Sequence, residues 1–297
     1  MFHKSYWWYT SDGGYNWGQG TFPGSGGLGS FAYIRLAGSR TEPNGTAFTL
    51  MNAPAGPAGE PMVDDSNSQQ ERDHAAHVQE KASFTNNNYT ATKDPSTYIW
   101  LLTSENFGLN FSYKVLPDKL QTCGKEMSMA VDPTNGNSLY VLTDNCLAHS
   151  TDHGTTWTGC VTAPGLEGPG FFDILVKNDK IMIVMRVGKV PLKTVDGGST
   201  WKPMTSLAPL YPANAGQQFE GDFSWTGKTL VVHGFDPSAI ARQEFGTVVW
   251  KSIDLGETWT DETGDLATIG MGHGRWYDSD FYLVTRGEGI IVKRNFE

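Results

Sequence analysis

Apolar and polar positions alternate with period two through much of the chain. The stretch SLYVLTDNCLAHS at 138–150 holds one apolar run, a short polar break and a second run. KIMIVMRVGKVPLKT at 180–194 has the same form, and VVWKS at 248–252 is the end of another. Successive side chains of a strand point to opposite faces, so this pattern predicts antiparallel strands joined by tight turns. Each second run leads into one octapeptide: STDHGTTW at 150–157, TVDGGSTW at 194–201 and SIDLGETW at 252–259. TSDGGYNW at 10–17 is a fourth copy, and SENFGLNF at 104–111 is a degraded fifth, with Asn106 in the Asp slot and Phe111 in the Trp slot. Apart from the first interval, which is roughly twice as long, the copies recur about every 45 residues, the length of one supersecondary unit.

The chemistry of the octapeptide is that of a hairpin turn. Asp12, Asp152, Asp196 and Asp254 can accept hydrogen bonds from nearby backbone N–H groups. The glycine supplies a positive φ, and the tryptophan packs beneath the turn. Composition agrees with an all-β chain. Of 297 residues, 18% are charged, 35 are Gly, and Trp, Tyr and Phe number 10, 11 and 15. The net charge of −10 disfavours nucleic acid and anionic membrane as partners. No apolar run approaches the roughly 20 residues of a membrane-spanning helix.

With these octapeptides the chain resembles the Asp-box (BNR repeat) β-propellers, whose best-known members are the sialidases. The resemblance covers nearly the whole length and implies one propeller domain over 1–297. It implies six blades of four-stranded antiparallel sheets, the sixth inferred from the long first interval, with the ring closed by combining the two chain ends. In this group the box lies between the third and fourth strands, at the rim away from the ligand. The box carboxylates are therefore read as structural, not as catalytic acids.

The opposite face is built from the starts of innermost strands and from the loops between second and third strands. The segments SFAYIRLAG, GKEMSMAV, GPGFFDILV, QQFEGDFSW and GHGRWYDS, with the loops TDNC, RVGK, HGFDPSAIARQEFG and TRGEG, fall there. They gather Arg35, Arg186, Arg242, Arg275 and Arg286, read as substrate-binding because a guanidinium grips both oxygens of a sugar carboxylate. They also gather Glu126, Asp144, Asp173, Glu220, Asp222, Asp236, Glu288, His233, His273, Trp276 and Tyr277. Sialidases add a Tyr nucleophile polarised by a Glu, and an Asp acid/base. The resemblance carries these onto Tyr277, Glu220 and Asp73, with Asp64 and Asp65 as alternatives to Asp73. The chain departs from the family pattern in two places. Leu36-Ala37 follows Arg35 where the family has Ile-Pro, and Tyr277 lies only two residues past Arg275. Asp-box endoglucanases use two Asp residues, which makes Asp173 and Asp222 a second candidate pair.

The expected function is a sialidase-like glycoside hydrolase acting on an acidic saccharide. The alternative is a propeller of the sortilin-receptor or assembly-factor kind that binds a glycan or peptide without chemistry. Carbohydrate or glycoconjugate is the expected partner, a monomer the expected state, and no cofactor is implied. His74 and His77 share a spacing suited to metal, but no third ligand stands at a recognisable distance in sequence, and no metal site is assigned. The start, MFHKSYWWYT, lacks the apolar run of a secretory leader. Cys123, Cys146 and Cys160, which allow one disulfide in any of three pairings, and the sequons at Asn44, Asn88 and Asn110 point to an extracellular protein, with the cytoplasm as the alternative.

Overall fold

The computed structural model describes residues 6–9, 18–21, 36–38, 41, 46–54, 97–105, 112–117, 120, 128–143, 147–158, 164, 166, 171–210, 219–235, 246–270, 273–285 and 289–297. The described strands form six sheets. The first pairs β1 (Tyr6–Tyr9) with β2 (Gly18–Thr21). The second runs in order β3 (Leu36–Gly38), β4 (Ala47–Pro54), β5 (Thr97–Ser104) and β6 (Ser112–Val115). The third holds β7 (Ser128–Asp132), β8 (Asn135–Leu142) and β9 (Leu147–Ser150). The fourth is β10 (Phe171–Val176), β11 (Met182–Arg186), β12 (Lys189–Thr194) and β13 (Lys202–Pro203). The fifth is β14 (Phe219–Phe223), β15 (Leu230–Phe235), β16 (Thr247–Ser252) and β17 (Thr260–Asp261). The sixth is β18 (Gly274–Tyr277), β19 (Asp280–Val284) and β20 (Ile290–Lys293). Each sheet keeps its strands in chain order, and every pair of defined register is antiparallel. Two short 3-10 helices, Thr205–Leu207 and Gly264–Thr268, each follow the last short strand of their sheet.

The chain divides into two compact units. One holds Met1–Cys123, Asn135–Leu139 and Ser150–Gly159; the other holds Gly124–Thr134, Tyr140–His149 and Cys160–Glu297. In the first, Phe48, Leu101, Leu102 and Leu139 are fully buried, and Trp157 is buried with them. In the second, sheets stack face to face, and the period of two explains how. Met182 and Val184 of β11 face one apolar layer with Tyr140, Leu147 and Ile174. Ile183 and Met185 face the next, with Phe219, Phe223, Leu230 and Val232. Val231 of β15 then faces a third, with Trp276, Phe281 and Leu283. A strand buried on both faces reads as a continuous apolar run, which is what 181–185 shows.

Three octapeptides fall within the described residues, at 150–157, 194–201 and 252–259. Those at 194–201 and 252–259 link the third strand of a sheet to its short fourth strand. In the second, Asp196 Oδ1 accepts from Thr200 N at 2.9 Å, and Oδ2 accepts from Thr200 Oγ1 at 2.6 Å. Thr194 Oγ1 donates to Asp196 Oδ1 and accepts from Gly198 N at 3.0 Å. Asp152 and Asp254 repeat this network with Thr156 and Thr258. The glycine of each turn has a φ between 77° and 88°, so only glycine fits without strain. Trp157 and Trp201 close their turns by donating Nε1–H to Gly154 O and Gly198 O. Trp259 donates instead to Ser206 Oγ, which in turn donates to Gly256 O. Hydrogen bonds from the threonines, led by the hydroxyl, hold Asp152, Asp196 and Asp254 ionised down to a pKa of about 2. These carboxylates are occupied by their own turns. The octapeptides at 10–17 and 104–111, the three cysteines and the three sequon asparagines lie outside the described residues, apart from Ser104 and Glu105.

Candidate functional site

The second unit brings a polar cluster to the first strands of its sheets. Strand alternation selects its members. Phe219, Gly221 and Phe223 of β14 turn toward the layer that holds Leu175, so Glu220 and Asp222 turn the other way. Glu220 is 6% exposed. His273 Nδ1 lies 2.8 and 2.9 Å from its two oxygens, and Arg275 Nη1 is 3.7 Å from Oε2. Asp222 Oδ2 accepts from the Trp276 backbone N–H at 3.1 Å, which ties β14 to β18. Asp173, buried on β10 just past a register shift, accepts at Oδ1 from Ser128 Oγ of β7 at 3.0 Å.

The electrostatics centre on Arg275 and Glu220. Loss of water around the Arg275 guanidinium opposes its charge, but Asp222, Asp173 and Glu220 outweigh this and raise its pKa above the usual value. Burial likewise opposes ionisation of Glu220. The hydrogen bond and charge of His273, with the charges of His233 and Arg275, overcome it and set the pKa at about 2. Beneath them His233 is fully buried, and burial lowers its pKa to about 4 against the pull of Glu220. Its Nε2 accepts from Gly274 N at 3.1 Å, so the neutral ring carries its proton on Nδ1, which is buried without a hydrogen-bond partner. A Cβ on residue 274 would lie 2.6 Å from His233 Nε2 and 2.4 Å from Phe281 Cζ; glycine is required there for space.

Of the residues singled out from sequence, Glu220 and Arg275 are brought together, with Asp173 and Asp222 acting on the same guanidinium. Arg186 is committed to its own hairpin: Nε and Nη2 both donate to Val190 O, at 2.9 and 2.7 Å. Tyr277 is 67% exposed and keeps different company, with Trp225 at 6.0 Å and Tyr282 at 6.4 Å between ring centroids. Two residues advance a strand by about 6.6 Å, so Tyr277 is carried toward the far end of β18 while Glu220 stays by its start. Trp276 is buried in an apolar layer. Arg35, Asp64, Asp65, Asp73, His74, His77, Glu126, Asp144, Asp236, Arg242, Arg286 and Glu288 lie outside the described residues. The sequence reading missed Ser128 and the pairing of His273 with Glu220. The only hint is position, since both residues begin or precede a first strand. A separate hollow of about 740 Å³, lined by Lys177, Lys228, Ile253, Asp254 and Glu297, opens at an octapeptide and shares no residue with this cluster.

Ordered antiparallel sheets stacked face to face, with turns of one design between third and fourth strands, define the sialidase-like β-propeller fold. Two solved sialidase structures share the fold. Trypanosoma rangeli sialidase in complex with sialic acid is 12% identical, matching 97% of this chain and 48% of its own, with a TM-score of 0.52. The same sialidase with 2,3-difluoro-KDN gives 14% identity and a TM-score of 0.54 over the same shares. The Niastella koreensis GH74 enzyme is 17% identical over 84% of this chain and 33% of its own, with a TM-score of 0.48. The chain thus spans about half the length of the sialidase and a third of the GH74 enzyme. No protein-family model matches the chain, and no curated protein matches it in sequence.

Proposed function

We propose that the chain is a glycan-directed Asp-box propeller that hydrolyses glycosidic bonds at the cluster around Glu220 and Arg275. The observation that carries this reading is the buried, ionised Glu220 held against Arg275 at the start of β14 and β18. Glycosidic cleavage builds positive charge at the anomeric carbon, and carboxylates fixed in place before the reaction stabilise it without reorganisation. Arg275 offers donors to a sugar hydroxyl or carboxylate. The charges of Asp222 and Asp173 favour the charged guanidinium. In the sialidase-like form of this reading, Asp73 supplies the acid, Tyr277 the nucleophile, and Arg35, Arg242 and Arg286 complete the anion cradle. The described cluster sets three carboxylates against one guanidinium, so preference for an acidic saccharide rests on those further arginines.

A binding propeller without chemistry is the second reading. It is favoured by Tyr277, whose ring neighbours are Trp225 and Tyr282 and not the Glu220 side chain it would need as nucleophile. A panel of chromogenic glycosides that includes a sialoside separates the two. Turnover that is lost in Glu220→Gln supports hydrolysis. Glycan binding with no turnover of any member supports the binder and overturns the hydrolase.

A further inference from the structure

The contact between Glu220 and His273 fixes a proton. An ionised carboxylate can only accept, and both Glu220 oxygens lie within 2.9 Å of His273 Nδ1. Nδ1 therefore carries the hydrogen, which leaves Nε2 as the nitrogen where the lone pair of an uncharged ring would lie. The two partners differ sharply in exposure: the Glu220 side chain is 8% exposed and that of His273 is 74%. The carboxylate is an anchored support and the imidazole projects from it. The support is itself braced, because His233 sits opposite Glu220 in the ladder and grips the N–H of Gly274, the residue after His273. A surface ion pair would show two exposed, mobile partners; here one partner is built into the sheet.

We infer that His273 is the general base of this site and that Glu220 is its positioning residue, a role that rests on the hydrolase reading above. Nε2 takes one proton from a water molecule. The water oxygen forms the bond to the anomeric carbon with its lone pair. The bond to the leaving oxygen breaks with its electron pair on that oxygen, which takes a proton from solvent. The imidazolium, stabilised by Glu220, returns its own proton to solvent. Among the described residues, the charged and titratable groups around the ring are Glu220, His233 and Arg275, with Asp222 and Asp173 acting on the guanidinium.

Two measurements on the full chain test this separately. Nitrogen-15 NMR of histidine reads the tautomer. The Nδ1–H form of His273 is expected in the wild type, giving way to a mixture in Glu220→Gln. An Nε2–H ring in the wild type, or no change in the variant, overturns the positioning. The pH–rate profile on the responsive glycoside reads the base. His273→Gln is expected to lower kcat per folded molecule by about 100-fold or more and to flatten the acidic limb. Activity and profile retained in His273→Gln overturn the base while leaving the hydrolase standing. A wild type inactive on every glycoside sinks the hydrolase and the base together, and the NMR result still decides the pairing.

Discussion

Gly274→Ala places one methyl group where the structure has no room. The new Cβ would stand 2.4 Å from Phe281 Cζ and 2.6 Å from His233 Nε2. Neither neighbour can retreat freely. Phe281 is 1% exposed and is packed against Trp276, Phe296 and His233. His233 is fully buried and takes its hydrogen bond from Gly274 N. Forcing an extra methyl into a packed interior costs about 1–3 kcal/mol. Pushing His233 off the Gly274 N–H leaves both ring nitrogens unpaired and adds about 1–3 kcal/mol. The expected loss is therefore about 2–6 kcal/mol in urea unfolding followed by tryptophan fluorescence, with the slope m unchanged. Gly264→Ala is the control. Gly264 has a φ of 49° and nothing within 4 Å of a Cβ, so it reports backbone strain without crowding, about 1 kcal/mol. A Gly274→Ala loss no larger than that of Gly264→Ala would refute the claim that packing at His233 holds β18 in place.

The acid response should have two windows. His233 is held neutral by burial, with its pKa lowered from 6.5 to about 4; the unfolded chain binds that proton first, so stability falls between pH 6.5 and 4 and levels below. His233→Gln should remove this window from a series of urea midpoints. The octapeptide aspartates are lowered from 3.8 to about 2 and Glu220 from 4.5 to about 2, so their contributions are complete above pH 4.5 and are lost as pH falls through 2; replacing Asp152, Asp196 and Asp254 by Asn should shrink that second window and leave the part due to Glu220. Trp201→Phe removes the indole donor to Gly198 O at 3.1 Å and part of a buried ring, and should cost about 1–3 kcal/mol by the same unfolding assay. Lys193→Ala removes an ion pair to the exposed Glu257 together with a hydrogen bond to Leu255 O from a side chain only 17% exposed, and should cost about 1–3 kcal/mol.

The fold was legible wherever a local rule governed it. Residues 180–194 read as paired strands and the octapeptides as turns, because each Asp binds within its own eight residues; that both faces of β11 meet apolar layers came only with the structure. The site was legible only in part. Placing Glu220 and Arg275 on one face needed strand order and parity alone, and they do meet. Arg186 shows what a position at a strand end leaves undecided. Its side chain folds back onto Val190 O, four residues away, and this depends on the turn geometry of one hairpin. The Ser128–Asp173 bond spans 45 residues and the Glu220–His273 pair spans 53, and no periodicity encodes contacts between adjacent sheets. The β-bulge after Phe171 also shifts the parity by which Asp173 would be assigned.

The account separates a repeated scaffold from an unrepeated site. Its most direct test is to measure kcat/KM per folded molecule for Glu220→Gln and Asp196→Asn side by side on the responsive glycoside. The account predicts a loss of about 100-fold or more in Glu220→Gln and wild-type turnover in Asp196→Asn, whose defect appears only in stability. Full activity in Glu220→Gln with a collapse in Asp196→Asn would contradict it.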